Sequence, residues 1–176
     1  MSLILVVLII LGASYALLQK NVVGDNEKII YQVGDLEVKL DESGSRDISL
    51  DNAIPTEDSD GMKNVPYSFS LVNNAVTDLK YTIYLEDDAG AKNKCGNDCA
   101  LIPYNYIRYN LSNDSDSLKN GNLSSSSTEL YTGTIESKST DKLNLRIWLS
   151  IDADNSAMGK YYFGKLKVVL SQADDY

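Results

Sequence analysis

Residues 142–151 read KLNLRIWLSI, and their alternation decides the fold class. Leu143, Leu145, Ile147, Leu149 and Ile151 fall on one side of an extended chain, and Lys142, Asn144, Arg146, Trp148 and Ser150 on the other. A period of two is that of a strand with one face against a core and one toward solvent. The same pattern recurs outward from this stretch: Leu36, Val38, Leu40; Tyr67, Phe69, Leu71; Leu79, Tyr81, Ile83, Leu85; Ile107, Tyr109, Leu111; and Leu166, Val168, Leu170. Shorter strands are expected at 29–33, 46–50 and 129–135, and one turn of helix near 153–158. Polar turn clusters separate the runs: SGS at 43–45, PTEDSDG at 55–61, NNAVTD at 73–78, DDAGAKNKCGND at 87–98 and SNDSDSLKNGNLSSSS at 112–127. The last reads as a mobile, low-complexity loop. Eight or nine strands joined in this way describe an all-β fold, a jelly-roll-like antiparallel β-sandwich. No internal repeat interrupts it, and residues 34–176 form one domain.

The N-terminus has another character. Residues 3–11, LILVVLIIL, precede Gly12-Ala13-Ser14-Tyr15-Ala16, and no charge appears before Lys20. An apolar region of this length followed by small residues has the form of a signal peptide cleaved between Ala16 and Leu17, with Ser14 and Ala16 at −3 and −1. No basic residue stands ahead of the apolar run, so residues 1–16 can also be read as a retained membrane anchor in the form of a hydrophobic leader helix. Residues 17–33 then make an N-terminal arm containing a β-capable piece, Ile29, Ile30, Tyr31, Gln32 and Val33. Export suits the two cysteines. Cys95 and Cys99 enclose only three residues and have no second pair to complete a metal site, so a short-loop disulfide formed outside the cell is expected.

Charge and composition exclude more than they assign. The formal net charge of −9 lacks the clustered basic surface that phosphate recognition needs, so no nucleic-acid partner is expected. The 176 residues contain no histidine, which removes Ser-His-Asp and Cys-His nucleophile systems, His-ligated zinc and the HExxH helix. No cofactor, metal or catalytic set is expected. Acidic clusters at Glu57, Asp58 and Asp60, at Glu86, Asp87 and Asp88, and at Asp152, Asp154 and Asn155 read as solvated turns. The last lacks the ligand spacing of a calcium loop. Ser139-Thr140-Asp141-Lys142 matches SxxK but leads into a strand rather than opening a helix, so it reads as chance. Tyr104, Tyr106 and Tyr109 with Arg108 could form a carbohydrate or peptide platform, although tyrosine also suits half-buried strand faces. Asn110, Asn113 and Asn122 each open an N-x-Ser sequon, relevant only in a glycosylating pathway.

The order of features along the chain resembles a known group. The leader ending GASYA is followed by YQVGDLEVKLD, then by NAIP…DG…PYSFSLVNN with LKYTIYLED. LNLRIWLSID…MGKYYFGKLKVVLSQ closes the chain. This arrangement is similar to the TasA and camelysin group of exported Gram-positive surface proteins. The resemblance implies a jelly-roll sandwich, secretion through the general export route, and assembly into matrix fibres by self-association or with other matrix subunits. Camelysin also carries a metalloprotease label, for which this chain has no histidine and no recognisable ligand set. The chain departs from the fibre-forming members in its shortness and its Cys95–Cys99 loop.

The expected function is therefore a secreted, non-enzymatic fibre subunit. A freed arm would add as a strand to an open sheet edge of the next copy, a head-to-tail contact that does not close on itself. The alternative is a membrane-tethered extracellular binding module, touching the membrane only through its leader, with a camelysin-like protease as the third reading that the resemblance implies.

Overall fold

The computed structural model describes residues 31–33, 36–40, 48–88 and 100–172 of the chain, with side chains described from residue 48 to 170. The leader, Ala16, Leu17, Ile29, Ile30, Cys95 and Cys99 lie outside the described residues.

Ten strands occur among the described residues: β1 (Tyr31–Val33), β2 (Leu36–Leu40), β3 (Ile48–Leu50), β4 (Tyr67–Asn73), β5 (Leu79–Asp87), β6 (Ile107–Ser112), β7 (Ser117–Asn122), β8 (Ser127–Ile135), β9 (Thr140–Leu149) and β10 (Tyr162–Gln172). One short helix, α1 (Asp58–Gly61), and two 3-10 turns, Tyr104–Tyr106 and Asn155–Ala157, complete the description. The strands form two antiparallel sheets. Sheet A has the order β1-β2-β4-β9-β6-β7 and sheet B the order β3-β10-β5-β8. Between β2 and β10 the chain changes sheet at every step except the β6–β7 hairpin.

Alternation explains which faces meet. Phe69, Leu71, Ile107, Tyr109, Leu111, Leu143, Leu145 and Leu149 from sheet A share one buried cluster with Ile48, Leu50, Tyr81, Ile83, Leu85, Leu130, Ile135 and Tyr162 from sheet B. The inward residues of both sheets thus form a single core, the arrangement of a β-sandwich. Each buried Leu or Ile contributes roughly 1.5–3 kcal/mol through the apolar surface it removes from water.

One end of the sandwich is closed by Asn73, a buried polar residue at the last position of β4. Its Nδ2 donates to the carbonyls of Thr77, Ile135 and Glu136 at 2.9, 3.2 and 3.0 Å, and its Oδ1 accepts from the Ala75 N–H at 2.8 Å. One side chain thereby ties the β4–β5 crossing to the β8–β9 crossing. Asp78 Oδ1 accepts from the Ser137 N–H at 2.8 Å, and the Lys138 ammonium reaches the Asn74 carbonyl. Lys138 itself takes the left-handed conformation, φ 57°, that the tight β8–β9 turn requires.

Several boundaries differ from the sequence reading. The stretch 112–127, expected as a mobile loop, contains β7. Its polar strand is held because the Asn110 amide of β6 donates to Ser117 Oγ at 2.7 Å and to Asn120 Oδ1 at 2.6 Å. The cluster 55–61, expected as a plain turn, contains α1. The turn of helix expected at 153–158 is a 3-10 turn, capped by Asp154 Oδ1 accepting from the Ser156 N–H at 2.7 Å. Tyr31 and Val33, placed by sequence in the arm, belong to β1, which pairs in register with β2 of the same chain (Tyr31↔Val38, Val33↔Leu36).

Candidate functional site

The two sheets part near the end of the domain closed by Asn73, and a cleft of about 430 Å³ opens there. Its origin is a mismatch in strand length. The β6–β9 ladder stops at Ser112↔Asn144, while β9 continues back to Thr140, paired on its other side with β4. Beyond Ser112 the chain turns away, because Asn113 Oδ1 accepts from the Ser115 and Asp116 N–H groups at 2.8 and 2.6 Å. Residues 140–143 are left with β4 on one side and the cleft on the other. Tyr81, Leu118, Tyr131, Thr134 and the turn at 113–115 line the remaining walls.

Asp141 is the polar centre of the cleft. The core-facing positions of β9 run back from Leu149 through Ile147, Leu145 and Leu143, and the next position of the same parity is a carboxylate. It meets Tyr81 of the opposite sheet, whose hydroxyl donates to Asp141 Oδ2 across a long 3.4 Å. The Tyr81 and Tyr131 rings lie 6.2 Å apart and tilted by 52°. Gly133 makes room for them, since a Cβ there would come within 2.6 Å of the Tyr131 ring and 3.0 Å of the Tyr81 hydroxyl. Burial lifts the Asp141 carboxyl above the usual carboxylate range and nearby Glu136 adds to the effect, while the Tyr81 O–H pulls it back down. Burial also pushes the Tyr81 phenol up, reinforced by Asp141 and Tyr131.

Tyr104, Tyr106, Tyr109 and Arg108 do not come together as one platform. Tyr109 faces the core at 3 % exposed, whereas Arg108, the next residue on the strand, faces outward. The Tyr104 hydroxyl donates to Asp87 Oδ2 at 2.6 Å, and burial together with that carboxylate pushes its pKa up to about 12. Tyr106 donates instead to Asp154 Oδ2 at 3.0 Å. Each tyrosine has a separate task.

Arg108 belongs to a second polar constellation, on the outer face of sheet A. Its Nε donates to Asp58 Oδ1 at 3.1 Å, its Nη2 to Asp58 Oδ2 at 2.5 Å and its Nη1 to Asn122 Oδ1 at 2.8 Å. Asp58 Oδ1 also accepts from the indole N–H of Trp148 at 3.1 Å. Gly61 of α1 lies flat on that indole, so close that a Cβ would fall 2.4 Å from ring atoms. The segment 57–66 is thus strapped over Trp148, and Arg146 Nε secures its far end by donating to the Asn64 carbonyl at 2.9 Å.

The acidic clusters are engaged as structural partners. Asp60 pairs with Lys63, Glu86 with Lys165 and Lys167, and Asp154 is held below its ordinary range by hydrogen bonds from Ser156 and Tyr106. Among the described residues no three His, Cys, Asp or Glu side chains converge as a metal site. Asn110 of the first sequon is fully buried. Ser139 of the SxxK match sits in the turn before β9, its hydroxyl donating to the Glu136 carbonyl at 2.7 Å.

Sequence reasoning passed over Asp141 and the cleft. Carrying the alternation of LNLRIWL two residues further back would have placed an aspartate at a core-facing position, but the facing tyrosines come from distant strands. No protein family model matches the chain, nor does any curated protein or solved structure.

Proposed function

We propose that this protein is a secreted, non-enzymatic structural subunit that assembles into extracellular or cell-surface fibres through strand addition by its N-terminal segment, on a sandwich of jelly-roll connectivity. The observation that carries this reading is the position of β1 and β2. They are the outer two strands of sheet A, and β1, the outermost, which belongs to the arm, pairs with β2 in an antiparallel ladder running from Tyr31↔Val38 to Val33↔Leu36. A backbone ladder of this kind is indifferent to which copy supplies the strand, so the same pairing can form between subunits. The jelly-roll element is supported by the repeated crossing of the chain between sheets.

The test is electron microscopy of protein beginning at Leu17, over a range of pH and concentration. Filaments are expected, and a chain lacking residues 17–33 should remain a folded monomer. Monomers under every condition would overturn the reading.

The second reading, a membrane-tethered extracellular binding module, draws on the cleft between β5, β8 and β9. N-terminal sequencing of the native protein separates the two: an intact apolar leader supports the tether, and a start at Leu17 supports release and assembly.

A further inference from the structure

The cleft combines features that packing alone does not require. Asp141 occupies a core-facing position of the strand that carries Leu143, Leu145 and Leu149, yet among the described residues its one side-chain hydrogen bond is the 3.4 Å contact with Tyr81. An ionised carboxylate offers about four acceptor positions, so a half-buried one held by a single weak donor keeps most of them for solvent or a ligand. Since its carboxyl is held above the ordinary range, Asp141 lowers stability at neutral pH relative to acid. Around it the cleft presents two tilted tyrosine rings, an apolar floor of Leu118 and Leu143, and the polar turn at 113–115, while Thr134 and Thr140 border it from the ends of their strands. A second carboxylate, Asp114, lies on the exposed turn of the rim, and Lys142 is the one cation among the described residues that line the cleft.

We infer that this cleft binds a hydroxyl-rich ligand bearing a primary ammonium, of the chemical class of an amino sugar in a polysaccharide. Each part of the site has a counterpart in that class. The ammonium satisfies the Asp141 carboxylate and lies against the tyrosine rings, where cation–π attraction adds to the ion pair. The apolar face of the sugar ring covers the exposed part of Tyr131, as amphipathic ring surfaces do on tyrosine. The ring hydroxyls exchange hydrogen bonds with the polar turn at 113–115, where Asp114 and Ser115 stand at the rim. An acidic ligand would meet two carboxylates, and a neutral one would leave the half-buried Asp141 without a counter-charge. A volume of about 430 Å³ lies within the size range of small-molecule sites. The inference stands whether or not the chain assembles into fibres.

The experiment is an NMR titration of the full chain, kept dilute and monomeric, with the glucosamine tetramer. The N-acetylglucosamine tetramer and pentalysine serve as comparators. Saturable shifts centred on Tyr131, Thr134 and Asp141 are expected with the glucosamine tetramer, and at least tenfold weaker binding with the N-acetylated form. Asp141→Asn and Tyr131→Ala should each weaken binding about tenfold. Binding should also fall as pH drops through the raised range of Asp141. Among the described residues, the other titratable groups near that carboxylate are Tyr81 on β5, Tyr131 on β8, Glu136 in the turn, Lys142 on β9 and Asp114 on the rim. Absence of saturable shifts, equal affinity for the two sugars, or an Asp141→Asn variant that binds like the parent would overturn the inference. Pentalysine binding as tightly as the sugar would overturn it too, because the site would then read the ammonium alone. Should Asp141→Asn fail to fold, Asp114→Asn on the exposed turn carries the test: about a threefold loss supports the site, and no loss overturns it.

Discussion

Trp148 on β9 and Val169 on β10 both point outward from strands inside their sheets, yet Trp148 is 3 % exposed and Val169 is 42 % exposed. The difference comes from what lies above them. Over sheet A the segment 57–66 is laid across the strands, with Gly61 seated on the indole and Asp58 bonded to both the indole N–H and Arg108. The rest of that face is joined side chain to side chain, with Ser68 donating to Asn144 at 2.6 Å and Asn110 bridging to Ser117 and Asn120. Over sheet B, Lys165 and Lys167 flank Glu86, and Thr82 meets Thr132 at 3.0 Å, all at or near solvent. Two sheets with the same alternating pattern thus have different outer faces, because among the described residues one acquires a third layer and the other does not.

The comparison can be broken most severely at Gly61. Gly61→Val places methyl groups inside the Trp148 ring and should destabilise the protein by roughly 1–3 kcal/mol, the usual range for overpacking. Trp148 is the only tryptophan, so its fluorescence reports directly on the strap. A red shift in emission with unchanged far-ultraviolet dichroism would show the strap lifting while both sheets persist. Asp58→Ala should have the next largest effect, roughly 1–2 kcal/mol, chiefly because the buried indole N–H loses its acceptor. The half-exposed ion pair with Arg108 adds little in water. Denaturant melts of the variant should therefore depend only weakly on salt. The smallest effect belongs to sheet B, where Lys167→Ala should change stability by no more than about 0.5 kcal/mol. A larger loss there would mean that the open face is as organised as the covered one.

The strands were legible because alternation is a local property. Leu143, Leu145 and Leu149, or Tyr81, Ile83 and Leu85, declare a buried face without reference to any partner. The strap was not legible: Asp58–Gly61 reads as turn chemistry, and its four helical residues are held by an indole ninety residues away in the chain. SLKNGN at 117–122 carries little strand propensity and becomes β7 because Asn110 reaches it. The cleft was hidden for a related reason. Its carboxylate could be placed by parity, but Tyr81 and Tyr131 come to it only through the pairing of β5 with β8 in the opposite sheet.

The repeated crossing between sheets also bears on how the chain reaches this state. Among the described residues, only β1–β2 and β6–β7 pair strands that are consecutive in sequence. The other ladders join distant segments, and at the extreme Ile48 meets Gly164 and Leu50 meets Tyr162 across nearly the whole domain. Such an architecture has high contact order. Much of its loop-closure entropy must be lost before the ladders that compensate can form, which places folding in the millisecond-to-second regime typical of non-local β proteins. The newly made chain therefore persists for a comparatively long time as an open polymer.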